Sequence, residues 1–278
     1  MTLIKGYEYV LVYSAIDLAG KGVAEILRDY YKPLRVKCDG RLCVEELTSN
    51  AVLLRVSDDI IYTDWLRDII VDSKAIIMLS RHASSSRIRT LSIHYPGNPT
   101  SEASYGGNPS ELSWSYPSLA KRLLLCYLKE AEVKQLLKDY KLTLEATHHG
   151  PTSLRQPVIF IEIGSDESAW RDRRAQEAMA MAVIEALEKG PVSCKPVVGL
   201  GGTHYPEKYT RLMIESDLCY GHILAKYVLK QLNARVLEQA ILKSVDRIEA
   251  ITYSKIPASV RELASAIAQR YGVKLVKV

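Results

Sequence analysis

The run Val158-Ile159-Phe160-Ile161-Glu162-Ile163 constrains the fold more than any other stretch of this chain. Every residue in it except Glu162 is β-branched or aromatic. A run this apolar belongs to a central strand covered on both faces, as the inner strands of a parallel sheet are. Glu162 is the exception, because a buried carboxylate is costly unless it is paired, hydrogen-bonded or metal-bound. One segment therefore points both to an α/β fold and to polar chemistry set into its interior.

The rest of the chain alternates apolar runs with helical periods, which predicts an α/β fold with a mixed, largely parallel central sheet flanked by helices. Strands are predicted at 9–13, 51–56, 75–79, 91–93, 142–146, 158–163, 197–200, 248–253 and 273–276. Helices are predicted at 19–31, 117–140 (one long or two abutting), 167–189, 223–232, 234–244 and 259–271. Gly190-Pro191 stops the third of these. No internal repeat or low-complexity linker divides the 278 residues, so residues 1–278 read as a single domain, with two intimately packed lobes as the other arrangement. The irregular stretch 95–115 is long enough to suggest a functional loop.

Hydrophobic residues make up 47% and charged residues 25%, the balance of an ordinary globular protein. The longest apolar stretch, 178–187, is too short to cross a bilayer. The N-terminal segment from Met1 to Glu8 lacks the charge, apolar run and small-residue site of a secretory signal, and a cytoplasmic location is expected. The five cysteines are odd in number and scattered. Cys38 and Cys43 flank an Asp39-Gly40 turn with no second pair to complete a zinc site, so reduced and mostly buried thiols are expected. A net charge of +5 permits a nucleic-acid partner without requiring one.

The six histidines carry the functional signal. His148 and His149 follow one predicted strand, Glu162 lies near the end of the next, and His204 follows a third. In open α/β sheets ligands bind outside the carboxyl ends of the strands. If these strands are parallel, all four side chains converge there, and imidazoles with a carboxylate make a reasonable zinc set. His148, His149, Glu162 and His204 are thus the candidate catalytic and metal-binding residues, with His94 in reserve. His82 and His94 also follow strands; joined as a simple hairpin, those strands would send the two rings to opposite ends. His222, in a segment read as helical, reads equally as structural or functional.

Gly97-Asn98-Pro99 and Gly107-Asn108-Pro109 are turn chemistry framing the long loop. Between them Glu102 and Tyr105, followed by Glu111 and Trp114, form an amphipathic set suited to a ligand. Asp17-Leu18-Ala19-Gly20-Lys21-Gly22 opens a helix but lacks the spacing of a P-loop; it suits a single phosphate at a helix N-terminus. Candidate substrate-binding residues are His82, His94, Asn98, Glu102, Lys21 and Arg81. Arg171, Arg173 and Arg174 read as a solvated helix face at least as well as a phosphate site.

Several blocks together resemble the archaeal and plant D-aminoacyl-tRNA deacylases. They are His94-Tyr95-Pro96-Gly97-Asn98, Glu102-Ala103-Ser104-Tyr105-Gly106-Gly107, Ala146-Thr147-His148-His149-Gly150-Pro151-Thr152, Ile161-Glu162-Ile163-Gly164-Ser165 and Gly201-Gly202-Thr203-His204-Tyr205. Ser80-Arg81-His82, Ser14 with Asp17, and Gly221-His222 fit the same family. The resemblance implies a fold related to phosphorylase and peptidyl-tRNA hydrolase architectures, dependence on Zn2+, and hydrolysis of D-aminoacyl-tRNA to D-amino acid and tRNA. It leaves the zinc ligands to the strand-end reading above. A partner tRNA, a monomer and no membrane or protein partner are expected. The alternatives are a peptidyl-tRNA hydrolase-like or zinc aminopeptidase-like enzyme and a catalytically idle RNA-binding protein. The last is disfavoured by polar residues gathered at strand ends without an aromatic-basic stacking surface.

Overall fold

The computed structural model describes residues 3–33, 35–85 and 87–278; Met1 and Thr2, which open the stretch read for a secretory signal, lie outside them. The strands are β1 (Tyr9–Ser14), β2 (Val36–Asp39), β3 (Leu42–Glu46), β4 (Ala51–Val56), β5 (Ala75–Ala83), β6 (Thr90–His94), β7 (Gly97–Asn98), β8 (Glu111–Leu112), β9 (Lys141–Leu144), β10 (Val158–Ser165), β11 (Lys195–Leu200), β12 (Leu218–Leu224), β13 (Ala250–Tyr253) and β14 (Lys274–Lys277). The helices are α1 (Leu18–Tyr31), α2 (Pro117–Val133), α3 (Glu167–Trp170), α4 (Arg173–Lys189), α5 (Glu207–Glu215), α6 (Ala234–Leu242) and α7 (Ala258–Tyr271).

An eight-stranded sheet runs in the order β2-β3-β4-β1-β5-β10-β6-β9, and a four-stranded sheet in the order β12-β11-β13-β14. The segment β4-β1-β5-β10 is parallel, as is the whole smaller sheet. Within these two sheets antiparallel pairing is confined to the β2–β3–β4 edge and to β10–β6, and β7 and β8 form a separate antiparallel pair. The sheet is mixed and largely parallel, as the alternation of runs predicts. Alternation along β1 and β10 divides the core in two. Leu11, Ile159 and Ile161 face the layer of α1, α2 and α4, while Val10, Val12 and Phe160 face the opposite side. Complete burial of each such side chain contributes about 1.5–3 kcal/mol.

Four local expectations are corrected. The segment 223–232 is not a helix: its first residues complete β12, and only a short 3-10 turn, Leu229–Gln231, follows. A short apolar run has no period that separates a buried strand from a buried helix. The helix expected at 167–189 is broken, because the Asp172 side chain caps a fresh N-terminus by accepting from the Arg174 amide. The cysteines are not mostly free thiols: Cys38–Cys43 and Cys194–Cys219 are disulfides, and Cys126 is free and buried. Both pairs are joined by pairing of neighbouring strands, which sequence spacing does not reveal. Finally, β5 and β6 do not form a hairpin, because β10 lies between them.

Candidate active site

That intervening strand brings His82 and His94 together instead of sending them to opposite ends. In register, Glu162 of β10 sits beside Ser80 of β5 and Ser92 of β6, whose small side chains leave room for a carboxylate. His82 lies opposite Gly164 and His94 opposite Phe160, so both flank Glu162 diagonally on one face. Gly164 is required there: a Cβ would stand 2.5 Å from Thr90 Oγ1 and 2.9 Å from the His82 ring. Glu162 Oε2 then lies 3.5 Å from His82 Nδ1 and 3.6 Å from His94 Nε2.

The chain leaving β9 supplies the next layer, Glu145 to His149. The Gly97 amide donates to the carbonyls of His148 and His149, and the Ala146 amide donates to the His204 carbonyl. His149 takes φ 46°, a left-handed conformation uncommon for a side-chain-bearing residue, which turns its ring toward His94 and His148. His204 arrives from the end of β11 through Gly201 and Gly202, both at positive φ. Five of the six histidines thus join one cluster. The His94 and His148 rings stack with centroids 4.3 Å apart.

Glu145, which the strand-end reading overlooks, is the hub. Its Oε2 lies 3.0 Å from His204 Nε2, 3.2 Å from His82 Nδ1 and 3.7 Å from His148 Nε2. The signal was present in Leu142-Thr143-Leu144-Glu145-Ala146, a carboxylate within an apolar strand run, the same reason that singled out Glu162.

Burial alone would push the Glu145 carboxyl up, but hydrogen bonds from His204 and His82 outweigh it and hold it well below the usual range. Glu162 is likewise held low against burial, by His82 and His94. Burial opposes charge on His82 and His94, yet the two carboxylates raise both rings. His148 and His149 behave oppositely: burial, then neighbouring imidazoles, lower both, His149 to about 4. These last two are fixed in one tautomer. A carbonyl can only accept, so His148 Nδ1 donates to Ala146 O (2.8 Å) and His149 Nδ1 to Gly150 O (2.7 Å). Each Nε2 is left as a free lone pair, the arrangement of metal-ligating histidines.

A cavity of about 440 Å³ opens over this cluster, with His82, His148, His149, Glu162 and His204 in its lining and Arg81, Asp59 and Tyr105 at its walls. Arg81 is held at the rim by Asp59 (3.2 Å) and the Ile16 carbonyl (3.1 Å). His94 is fully enclosed behind the cluster. Asn98 is buried and braces the loop, donating to the carbonyls of Gly106 and Asn108. Glu102 is exposed, bonded to Ser104, and Lys21 lines a different cavity. Arg171, Arg173 and Arg174 pair with carboxylates on helix surfaces. His222 stands outside the cluster, buried on β12. Its Nε2 donates to Ser113 O (2.9 Å), so its Nδ1 accepts from Thr147 Oγ1 (3.0 Å).

The D-aminoacyl-tRNA deacylase family model matches residues 70–276, a span containing every residue of the cluster. The chain belongs to the D-aminoacyl-tRNA deacylase family. The D-aminoacyl-tRNA deacylase of Hyperthermus butylicus is 40% identical over 271 residues, covering 96% of this chain and 99% of the relative. That of Aeropyrum pernix is 35% identical over 280 residues, covering 95% and 98%. The crystal structure of a conserved protein of unknown function is similar throughout, with a TM-score of 0.90 and 28% identity, covering 99% of this chain and 96% of that one. In this deacylase-family fold, buried and half-buried His and Glu ligand atoms fall into three groups, each within 4.8 Å, that could hold a metal: His82-Glu145-His148-His204, His94-His148-His149 and His94-Glu145-Glu162. No helix among the described residues is long and apolar enough to cross a membrane.

Proposed function

We infer that this chain hydrolyses the ester joining a D-amino acid, such as D-tyrosine, to the 3′ end of tRNA, releasing free D-amino acid and tRNA. The observation that carries the reading is family membership over most of the chain, together with a His/Glu cluster open to a cavity. Peptidyl-tRNA hydrolysis and zinc aminopeptidase chemistry are not favoured by the curated relatives. The whole chain acts as one deacylase domain, a cytoplasmic monomer whose partner is the aminoacylated end of tRNA.

The donor set fits a divalent metal. Both ring nitrogens of His94, Glu145 Oε1 and Glu162 Oε2 are buried without a hydrogen-bond partner, and such atoms are normally satisfied. The two carboxylates are otherwise balanced only by protons on neighbouring rings, a balance a dication would take over. Imidazole and carboxylate donors with a water-accessible face suit zinc. His148, His149, Glu162 and His204 are its candidate ligands, with His94 in reserve and Glu145 and His82 added by their proximity. A bound zinc would supply Lewis acidity toward the ester carbonyl and lower the pKa of water to about 7.

The protein's own groups do the rest. Glu145 orients His82 and His204 at once, while the Ala146 carbonyl orients His148. His149 Nε2, kept neutral by burial, presents a lone pair to the cavity as a ligand or a hydrogen-bond acceptor. Arg81 at the rim holds a cationic group beside the entering nucleotide, with the exposed Tyr105 ring across the mouth. Sparing the L ester by ~10³ requires about 4 kcal/mol of differential transition-state binding, more than one contact supplies, so the walls must reject the L side chain sterically or leave its amine unpaired. The test is release of D-tyrosine from D-tyrosyl-tRNA, run beside peptidyl-tRNA and an aminoacyl amide, with and without a strong chelator. The expected result is turnover of the D ester alone, lost on chelation and restored by zinc. Preferential cleavage of either other substrate would replace the reading, and full activity in metal-free protein would remove zinc from it.

A further inference from the structure

A second cavity, of about 670 Å³, lies between α1 and the β2–β3 hairpin. Lys21, Glu25 and Arg28 fall on one face of α1 at spacings of four and three residues, and with Lys32 at the helix C-cap they form one wall. Tyr13, Ala15 and Arg55, from the ends of β1 and β4, close the other side. Arg28 is committed to the fold: it pairs with both oxygens of Glu45 at 2.7 Å and donates to the Tyr13 hydroxyl. Glu25 has a cation of its own in Arg173. Lys21, Lys32 and Arg55 are different. Among the described residues none of the three has a carboxylate within ion-pair distance, although Arg55 touches Cys43 Sγ. The groove therefore carries three uncompensated positive charges.

Its position connects it to the active site. β4, β1, β5 and β10 are parallel neighbours, so their carboxyl ends lie along one edge of the sheet. Arg55 and Ala15 mark this cavity on that edge, and Arg81 and Glu162 mark the catalytic one. Ile16 links the two linings: it follows Ala15, its carbonyl accepts from Arg81, and its side chain is exposed. The eleven helical residues from Lys21 to Tyr31 extend about 16 Å, the length of roughly four to five stacked nucleotides at 3.4 Å each.

We propose that this groove is a second binding subsite, which holds backbone phosphates of the substrate's unpaired 3′ end while the ester lies in the catalytic cavity. The proposal rests on the deacylase reading. It moves Lys21 from the catalytic cavity to a separate cationic track and adds Lys32 and Arg55 beside it. Three contacts to single-stranded phosphates correspond to a logarithmic salt slope of about 2.

The test compares the full chain with a Lys21→Gln, Lys32→Gln, Arg55→Gln triple variant on two substrates: D-tyrosyl-tRNA and D-tyrosyl-adenosine, an ester with no phosphate. For the variant, kcat/KM on the tRNA should fall ~10-fold or more relative to that on the adenosine ester, the change residing in KM. The salt slope of uncharged-tRNA binding should drop from about 2 toward zero. An unchanged ratio and slope overturn the proposal. So does an equal loss on both substrates, which would mean that these side chains support the fold and not the phosphates. A wild-type protein that cleaves neither ester would instead fail the deacylase reading itself, and the subsite with it.

Discussion

Two buried histidine environments in this protein share a chain and nearly a location, yet differ in how their polar atoms are satisfied. His222 on β12 is enclosed by Ser113 and Thr147, and both ring nitrogens have partners. The cluster one residue beyond Thr147 has hydrogen-bonding capacity left open: two nitrogens of His94 and one oxygen each of Glu145 and Glu162 have no partner within hydrogen-bond distance. His94, Glu145 and Glu162 are as deeply buried as His222, so burial does not distinguish the two environments. Unsatisfied capacity does, because a buried polar atom without a partner costs about 1–3 kcal/mol that a ligand would recover.

The largest expected effects lie in the open cluster. His148→Ala, His149→Ala, Glu162→Ala, His204→Ala and Glu145→Ala should each lower turnover of D-tyrosyl-tRNA by ~10² or more. Their folded structure should persist, since His148, His149, Glu162 and Glu145 each carry a polar atom without a hydrogen-bond partner and the His204 ring is partly exposed. Steady-state kinetics beside circular dichroism decide this; normal rates in a folded Glu145→Ala protein would show that the hub is structural.

His222→Ala should reverse the pattern, costing about 3 kcal/mol of stability by stranding Ser113 O and Thr147 Oγ1 and leaving a cavity. Denaturant midpoints at neutral pH measure it, and a loss under about 1 kcal/mol would contradict the satisfied-core account. A pH series sharpens the contrast. Burial, against the weaker pull of the Ser113 hydrogen bond, lowers the His222 pKa from 6.5 to about 4. The unfolded chain therefore binds the extra proton first, and stability falls as pH drops from about 6.5 to about 4, by about 3 kcal/mol for this group. A His222→Gln variant should lose that part of the acid sensitivity. If its pH profile matches the wild type, His222 titrates normally and is not desolvated.

Legibility in the sequence followed the same division. Apolar runs such as 9–13 and 158–163 announce buried strands, and Glu162 stood out because nothing in its run could pay for a charge. Strand ends likewise identified His148, His149 and His204. β12 was read as helix because Gly221-His222-Ile223 has no period that decides between the two, the β2–β3 hairpin lacks a strong apolar pattern, and α5, though amphipathic, is only nine residues long. The convergence of His82 and His94 depended on β10 inserting between β5 and β6, a non-local pairing with no trace in spacing. Glu145 was legible by the Glu162 criterion but lay in the shadow of the two histidines after it. Asn98 and Glu102 belong to the loop that the turns announced, one bracing it and the other exposed upon it.

The central claim is that the open cluster serves a chirally selective esterase, and the most direct test is the rate ratio for D- and L-tyrosyl-tRNA with purified, zinc-loaded protein. The account predicts release of D-tyrosine with the L ester left nearly intact, a ratio on the order of 10³, equivalent to about 4 kcal/mol between the two transition states. Equal rates on the two diastereomers would contradict it.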